Sequence, residues 1–307
     1  MDKIVVFGSF AADLTSRAPR LPKSGETIIG SSFKIGPGGK GSNQGVAAKR
    51  AGADMTMITK VGNDVFGKIA LDIYKNEGMS TEHIFIDQEK ETGTALIMVD
   101  ENTAENQILV VSGACGNISD QDIKSVEHII EDAKIVLMQL EINMDATEKV
   151  IKLAHGMSKT IVLNTAPAMP LSAEILSMVS IVTPNEHEAE IMTGIKVSDR
   201  ESAEIAADRL MEMGVGSVVI TMGKEGAFVK SDGESRMIDG ISVNAVDTTG
   251  AGDAFNGAFV TALSEGMDIF EAARFGNAAG ALSVTKYGTA PAMPYREEIE
   301  KALEKKE

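Results

Sequence analysis

Short, uninterrupted apolar runs recur along the chain. Ile4-Val5-Val6-Phe7 ends at Gly8, and Ile135-Val136-Leu137-Met138 ends at Gln139. Similar stretches occupy 55–61, 160–163, 181–183 and 218–221. Each is too short for a helix and too apolar for a half-exposed strand, so each predicts a strand buried on both faces. Helical periodicity separates them, over 41–52 (Ala-rich), over 65–76 and again from Ser119 onward. Three helices, 251–263, 270–284 and 296–303, close the chain. Strand and helix alternating at this spacing predict an α/β fold: a three-layer, Rossmann-like, mainly parallel sheet with helices on both faces. Two β-rich insertions interrupt the pattern. One carries Pro19, Pro22 and β-like runs such as Glu26-Thr27-Ile28-Ile29. The other predicts a hairpin of 94–99 and 107–111 around the polar turn 100–106. The expected division is therefore an α/β domain of 1–10, 37–92 and 113–307 and a small β-sheet lid of 11–36 and 93–112. Both insertions follow core strand ends, where α/β proteins bind ligands.

Composition narrows the partners. A formal net charge of −16 argues against nucleic acid or an anionic membrane as the main partner, since both need a basic face. Cys115 is the only cysteine, so no intrachain disulfide is possible, which fits a reducing compartment. The N-terminal apolar stretch turns polar at Asp13, too early for a signal sequence, and no apolar run reaches membrane-spanning length. A soluble cytoplasmic protein is expected. With no Trp, the 17 Met residues and the aliphatics must fill the core, and His83, His128, His155 and His187 show no metal-ligand spacing.

Two nucleotide motifs nearly fit and fail on chemistry. Gly62-Asn-Asp-Val-Phe-Gly67-Lys68-Ile69 has Ile69 where a phosphate loop needs a hydroxyl for magnesium, and Asp64 inside the cradle, so it reads as a turn into an amphipathic helix. Gly36-Pro-Gly38-Gly39-Lys-Gly41 has dinucleotide-loop spacing, but Val61 stands where an acid is needed. Asp247-Thr-Thr-Gly250-Ala251-Gly252-Asp253 is different. Small residues lead into a helix whose first N–H groups lack intrahelical partners, and such a terminus binds anions. Asp253 in that turn could simply complement the helix dipole. It could equally take a proton from a hydroxyl attacking a phosphoryl group held by the same N–H groups.

The stretch 247–257 resembles the C-terminal signature of the ribokinase family of sugar kinases, and Gly38-Gly39-Lys40-Gly41-Ser42-Asn43-Gln44 resembles its N-terminal one. Gln139-Leu140-Glu141, Asn164-Thr-Ala-Pro167, Pro184-Asn185-Glu186-His187-Glu188 and Thr221-Met222-Gly223-Lys224-Glu225-Gly226 stand between them in the family's order. The resemblance implies that Asp253 is the general base on a sugar's primary hydroxyl, with N–H groups of Gly250, Ala251 and Gly252 holding the phosphoryl group. It assigns Asp13, Gly39, Lys40, Gly41, Ser42, Asn43 and Glu141 to the sugar; alone, Glu141 would read as a strand-end surface acid. It assigns Asn185 and Glu188 to the phosphates and hydrated magnesium, and 221–226, Gly252 and Asn277 to ATP. Asp247, Thr249 and backbone oxygens of Ser283, Lys286, Gly288 and Ala292 would hold a potassium ion.

The implied activity is ATP-dependent phosphorylation of D-ribose at O5. Ala11 stands where ribose-specific members often carry Asn, so 2-deoxyribose, or another small sugar or nucleoside, is the alternative substrate. A non-catalytic sugar- or nucleotide-binding protein is the alternative of another class. Exposed lid edges and the family pattern together imply a homodimer through the lids.

Overall fold

The computed structural model describes residues 2–103 and 105–304. Thirteen strands build two sheets among these residues. They are β1 (Ile4–Phe7), β2 (Ala11–Ala18), β3 (Ser32–Gly38), β4 (Met55–Gly62), β5 (Ile84–Asp87), β6 (Thr92–Asp100) and β7 (Asn106–Gly113). After them come β8 (Ile135–Met138), β9 (Thr160–Leu163), β10 (Ile181–Val182), β11 (Ser217–Thr221), β12 (Gly226–Ser231) and β13 (Glu234–Asp239).

The larger sheet has nine strands in the order β13-β12-β11-β10-β9-β8-β1-β4-β5. Pairings from β5 across to β11 are parallel; β12 and β13 add an antiparallel edge. Helices flank it. Every residue of β1 and β8 is buried, as their uninterrupted apolar runs demand. From β1 the chain moves to β4 on one side, and β8 pairs on the other. Strand order therefore reverses at β1, and a crevice opens at the carboxyl ends of β1 and β8. The helix Ala251–Ser264 packs on both Lys40–Arg50 and Ile269–Ser283, and also touches β1 and β8. That places the start of Ala251–Ser264 beside the crevice.

The smaller sheet has the order β3-β2-β6-β7. The β6–β7 hairpin forms as the pattern predicts, although Ala104 in its turn lies outside the described residues. The run 26–29 forms no strand: Ile29 is 87% exposed and pairs with nothing, since its stretch turns at Lys23–Glu26. The near-match at 62–69 is a helix start. The Asp64 carboxylate caps Val65–Asn76 by accepting from the Gly67 N–H at 2.8 Å, and a Cβ on Gly67 would meet the Gly62 carbonyl oxygen.

Candidate active site

Residues far apart in sequence meet at the crevice. Ser9 follows β1 and Glu141 follows β8; the Ser9 hydroxyl donates to Glu141 Oε2 at 2.5 Å. The Lys40 backbone N–H, at the start of its helix, donates to the same oxygen at 2.8 Å. That contact requires the chain to enter the helix very close to β1. Gly39 adopts φ 85°, and a Cβ there would lie 2.6 Å from Ala11 N; on Gly41 it would lie 2.4 Å from Ser9 N. The glycines of 38–41 thus bring backbone onto backbone, which no other residue permits.

Asp253 is buried in the first turn of Ala251–Ser264, whose N-cap Gly250 is left-handed at φ 80°. The first intrahelical bond runs from Ala254 N–H to Gly250 O, so Gly252 and Asp253 present N–H groups without intrahelical acceptors. A Cβ added to Gly252 would meet nothing within 4 Å, leaving open space over this terminus. Both carboxylate oxygens of Asp253 are gripped by amides. Asn43 Nδ2 donates to Oδ2 at 2.9 Å and Gln44 Nε2 to Oδ1 at 3.0 Å. The Asn43 Oδ1 is buried without a partner. An unpartnered acceptor beside the carboxylate suits a ligand hydroxyl.

Asp13 enters from β2. Its register partner is Gly36 on β3, and a Cβ on Gly38 would strike its carboxylate. The Thr289 hydroxyl lies 3.3 Å from Asp13 Oδ2 and 2.8 Å from Pro37 O. Burial pushes the Asp13 carboxyl up to about 6; Thr289 opposes this, while Glu141 and Asp253 add to it. Lys40 supplies the balancing charge. Burial works against its ammonium, but Asp253, Glu141 and Glu188 outweigh that and raise its pKa. Ser42 contributes its backbone N–H to Ser9 O at 2.8 Å, and its side chain sits beside the Tyr74 hydroxyl rather than Asp253.

A second cluster adjoins the first. Asn185 and Glu188 cap the helix Glu186–Thr193 reciprocally, each side chain accepting from the other's backbone N–H. Burial raises the Glu188 pKa, and Lys40 and Asp253 are close enough to act on it. Thr221 N–H donates to Pro184 O at 2.9 Å, joining β11 to this helix start. Met222, Gly223, Lys224, Glu225 and Gly226 then make a tight turn. Gly226 has φ 106°, and a Cβ there would meet the Ile238 carbonyl oxygen. Asn277 Nδ2 donates to that carbonyl at 3.0 Å, tying Ile269–Ser283 to β13.

Near the helix terminus, Asp247 accepts from the N–H groups of Thr249 at 3.0 Å and Gly288 at 3.1 Å. Burial works against its charge, but these bonds and Arg17 hold its pKa below the usual carboxylate range. An ionised carboxylate is a ligand that suits a hard cation. Segment 283–292, carrying Ser283, Lys286, Gly288 and Ala292, folds back onto Asp247; Val246 N–H donates to Val284 O at 2.7 Å. Among the described residues, no three His, Cys, Asp or Glu side chains form a metal-holding group. Two open grooves lie elsewhere, on the small sheet: about 630 Å³ lined by Arg17, Phe33 and Met98, and about 530 Å³ lined by Leu14, Leu96 and Leu109.

Several buried polar residues of the site are ones to which sequence reasoning assigned no role. Ser9, Gln44, Gln139, Asn164, Thr183, Asn256 and Thr289 are all buried and all hydrogen-bonded. Their signal is a lone amide or hydroxyl in an otherwise apolar stretch, such as Asn256 between Phe255 and Gly257.

A carboxylate clamped by amides at an open helix N-terminus, in the switch-point crevice of a mainly parallel sheet, defines a phosphotransferase site. Residues 1–296 match the pfkB family of carbohydrate kinases, and the chain belongs to that family. The chain is 44% identical to a ribokinase of Haemophilus influenzae over 301 residues, 98% of each chain. It is 39% identical to a ribokinase of Bacillus subtilis, covering 99% of this chain and 100% of that one. The solved structure of Arabidopsis thaliana ribokinase complexed with ribose and ATP superposes with a TM-score of 0.90 at 31% identity, covering 98% of each.

Proposed function

We propose that this protein is a kinase that transfers the terminal phosphoryl group of ATP to O5 of D-ribose. The observation that carries the reading is Asp253: both its oxygens accept amide hydrogens, and in its own helix start the N–H groups of Gly252 and Asp253 have no intrahelical acceptor, while Ala251 N–H donates to Thr248 O at 3.3 Å. Asp253 takes the proton from the primary hydroxyl as that oxygen attacks. The N–H groups of 250–253 hold the charge on the phosphoryl group being transferred. Asp13, Gly39, Lys40, Gly41, Asn43 and Glu141 bind sugar hydroxyls, and the Lys40 ammonium offsets the surrounding acids. Ser42 is fully buried and spends its backbone N–H on Ser9 O, so it supports the loop rather than the sugar. The turn 221–226 and Asn277 line the nucleotide groove. Asn185 and Glu188 face the phosphates and a magnesium ion that keeps most of its water shell, in line with the sparse protein ligands here. Asp247 with Thr249 and carbonyls of 283–292 holds a monovalent cation, potassium, which would neutralise charge beside the helix terminus.

The small sheet, 11–36 and 93–112, serves as a lid, and we propose that its outer face forms a homodimer. Phe33 on β3 and Ile108, Leu109, Val110 and Val111 on β7, the two edge strands of this sheet, are all exposed, those of β7 on both faces. A monomer in sedimentation at micromolar concentration would remove that part. No described helix is long and apolar enough to cross a membrane, and the sole cysteine is buried and free; both support a cytoplasmic setting. The test is ADP release from ATP with ribose, run beside Asp253→Asn. The variant is expected to lose ~10²–10⁴ in kcat while still binding ribose. Retention of more than about a tenth of kcat, too small a loss for a missing base, would falsify the assigned role.

A further inference from the structure

Beneath Asp253 lies a set of buried polar groups that touch no open space. Gln44 is fully buried, and its amide is fully used. Nε2 donates to Asp253 Oδ1 and to Asn164 Oδ1, both at 3.0 Å, and Oε1 accepts from Gln139 Nε2 at 2.7 Å. Rotating this amide by half a turn would set its oxygen against the Asp253 carboxylate and the Asn164 oxygen, and its NH₂ against that of Gln139. Only the observed orientation gives the Asp253 carboxylate, the Asn164 oxygen and the Gln139 NH₂ their partners, and Gln139 Oε1 is left without one.

The connections continue and close. Asn164 Nδ2 donates to Thr183 O at 2.8 Å, and the Thr183 hydroxyl donates to Asn256 Oδ1 at 2.6 Å. Asn256 Nδ2 donates to Gly252 O at 2.8 Å. Gly252 O belongs to the peptide unit that carries the Asp253 N–H. The ring thus leaves from the Asp253 carboxylate and returns to the Asp253 peptide, passing through the loops after β9 and β10. Its side-chain members are 0–6% exposed, so water cannot readily replace a missing partner.

We propose that Gln44 is a positioning residue for phosphoryl transfer: through this closed ring it fixes the Asp253 carboxylate relative to the N–H groups that hold the phosphoryl group. The proposal rests on the reading of Asp253 as the base. Asn43 alone leaves the carboxylate free to swing about a single bond, whereas the second grip at Oδ1 removes that freedom. Gln44 makes no contact on the open side of the carboxylate, so its loss should reach the reacting geometry before it reaches sugar affinity. A displacement of about 1 Å at a reacting group costs up to ~10² in rate.

The test compares Gln44→Met, Gln44→Glu and Thr183→Val with the unmodified protein and with Asp253→Asn. Gln44→Met keeps the side chain's length and removes its hydrogen bonds. It is expected to lower kcat about 10- to 100-fold while KM for ribose stays within about threefold. Gln44→Glu sets a carboxylate about 3 Å from Asp253, so the pair must share a proton, and the acid limb of kcat/KM should move up by about one pH unit or more. Thr183→Val opens the ring on its far side while conserving shape, and should lower kcat about threefold to tenfold at constant KM. If Gln44→Met does not fold, the other two carry the test. Folding is followed by ADP affinity, which should stay within about twofold, because neither Gln44 nor Thr183 is among the residues assigned to the nucleotide. A folded Gln44→Met with unchanged kcat and pH profile overturns the proposal. So does a loss of kcat that only tracks loss of ADP affinity and of melting temperature. If Asp253→Asn keeps more than about a tenth of kcat, the base reading falls and the proposal with it. If Asp253→Asn is inactive while Gln44→Met is not impaired, the positioning role alone falls.

Discussion

Replacing Asp13 with Asn should stabilise the ligand-free protein while removing its grip on the sugar. Asp13 is mostly desolvated, with Glu141 and Asp253 acting on it, and its carboxyl is pushed from 3.8 up to about 6. For a carboxyl raised in this way, the stability it contributes is fully present below pH 3.8, where it is protonated folded and unfolded alike. That stability is lost as pH rises through about 6, because the folded state resists ionisation that the unfolded chain welcomes. A separation of about two pH units at about 1.4 kcal/mol each makes the penalty roughly 3 kcal/mol at pH 8 and about half that at pH 5. Asn cannot ionise, keeps the shape and still accepts a hydrogen bond from Thr289, so it escapes the penalty. Unfolding entropy near 2.1 cal/mol/K per residue gives about 0.6 kcal/mol/K for 307 residues, so roughly 3 kcal/mol corresponds to about 5 °C. The assay is thermal melting of both proteins at pH 5 and pH 8, with and without saturating ribose. Without sugar the variant should melt about 5 °C higher at pH 8 and about half as far above at pH 5. Ribose should raise the wild-type melting temperature and leave the variant's nearly unchanged. A gap that is absent at pH 8, or that does not change with pH, refutes the argument that Asp13 is held ionised at a cost for the sugar's sake. The other carboxylates are shared by both proteins and cancel in the difference.

Potassium should raise turnover above that in sodium or Tris alone, and Asp247→Asn should lose most of the difference. Equal rates in potassium, caesium and sodium would remove the cation from the loop at Asp247. Ala11→Asn should move the kcat/KM ratio toward ribose over 2-deoxyribose by about one neutral hydrogen bond, ~0.5–1.5 kcal/mol or a few-fold to tenfold. An unchanged ratio in a folded variant would mean that position 11 does not read the sugar.

The core strands were readable because four consecutive buried apolar residues leave little else for Ile4–Phe7 or Ile135–Met138 to be. The edge strands were not. In β13 the side chains are half-buried or exposed throughout, and Arg236 lies over the Phe270 ring rather than following any alternation. The edge strand β13 therefore went unread, as did β5, a four-residue strand at the other edge, and β12, which pairs antiparallel between β11 and β13. The opposite error occurred at 26–29, where β-prone residues have no neighbouring strand. Propensity for a sheet is largely a measure of packing against a neighbour, and without one it specifies nothing.

The same physics divides the site. Asp253, Asn43 and the glycines of 38–41 were legible because short-range constraints write them into compact motifs: a tight turn, a helix start, a close backbone approach. Gln44 belongs to one of those motifs, yet its role was not legible, since the partner that defines it lies 209 positions away. Thr289 and Asp13 are 276 apart. What the sequence does carry is an anomaly. Gln44 opens onto Gly45-Val46-Ala47-Ala48, and Gln139 follows the wholly apolar strand Ile135–Met138. An amide in such a place must either reach solvent or find several partners, because burying it unpaired costs about 1–3 kcal/mol. Two such amides, each next to a motif residue, imply that they meet, and here Gln139 Nε2 donates to Gln44 Oε1 while Gln44 Nε2 donates to Asp253. The run of bonds ends on the Asp253 carboxylate, so Gln44 is better read as part of that carboxylate's scaffold than as an exception within the core.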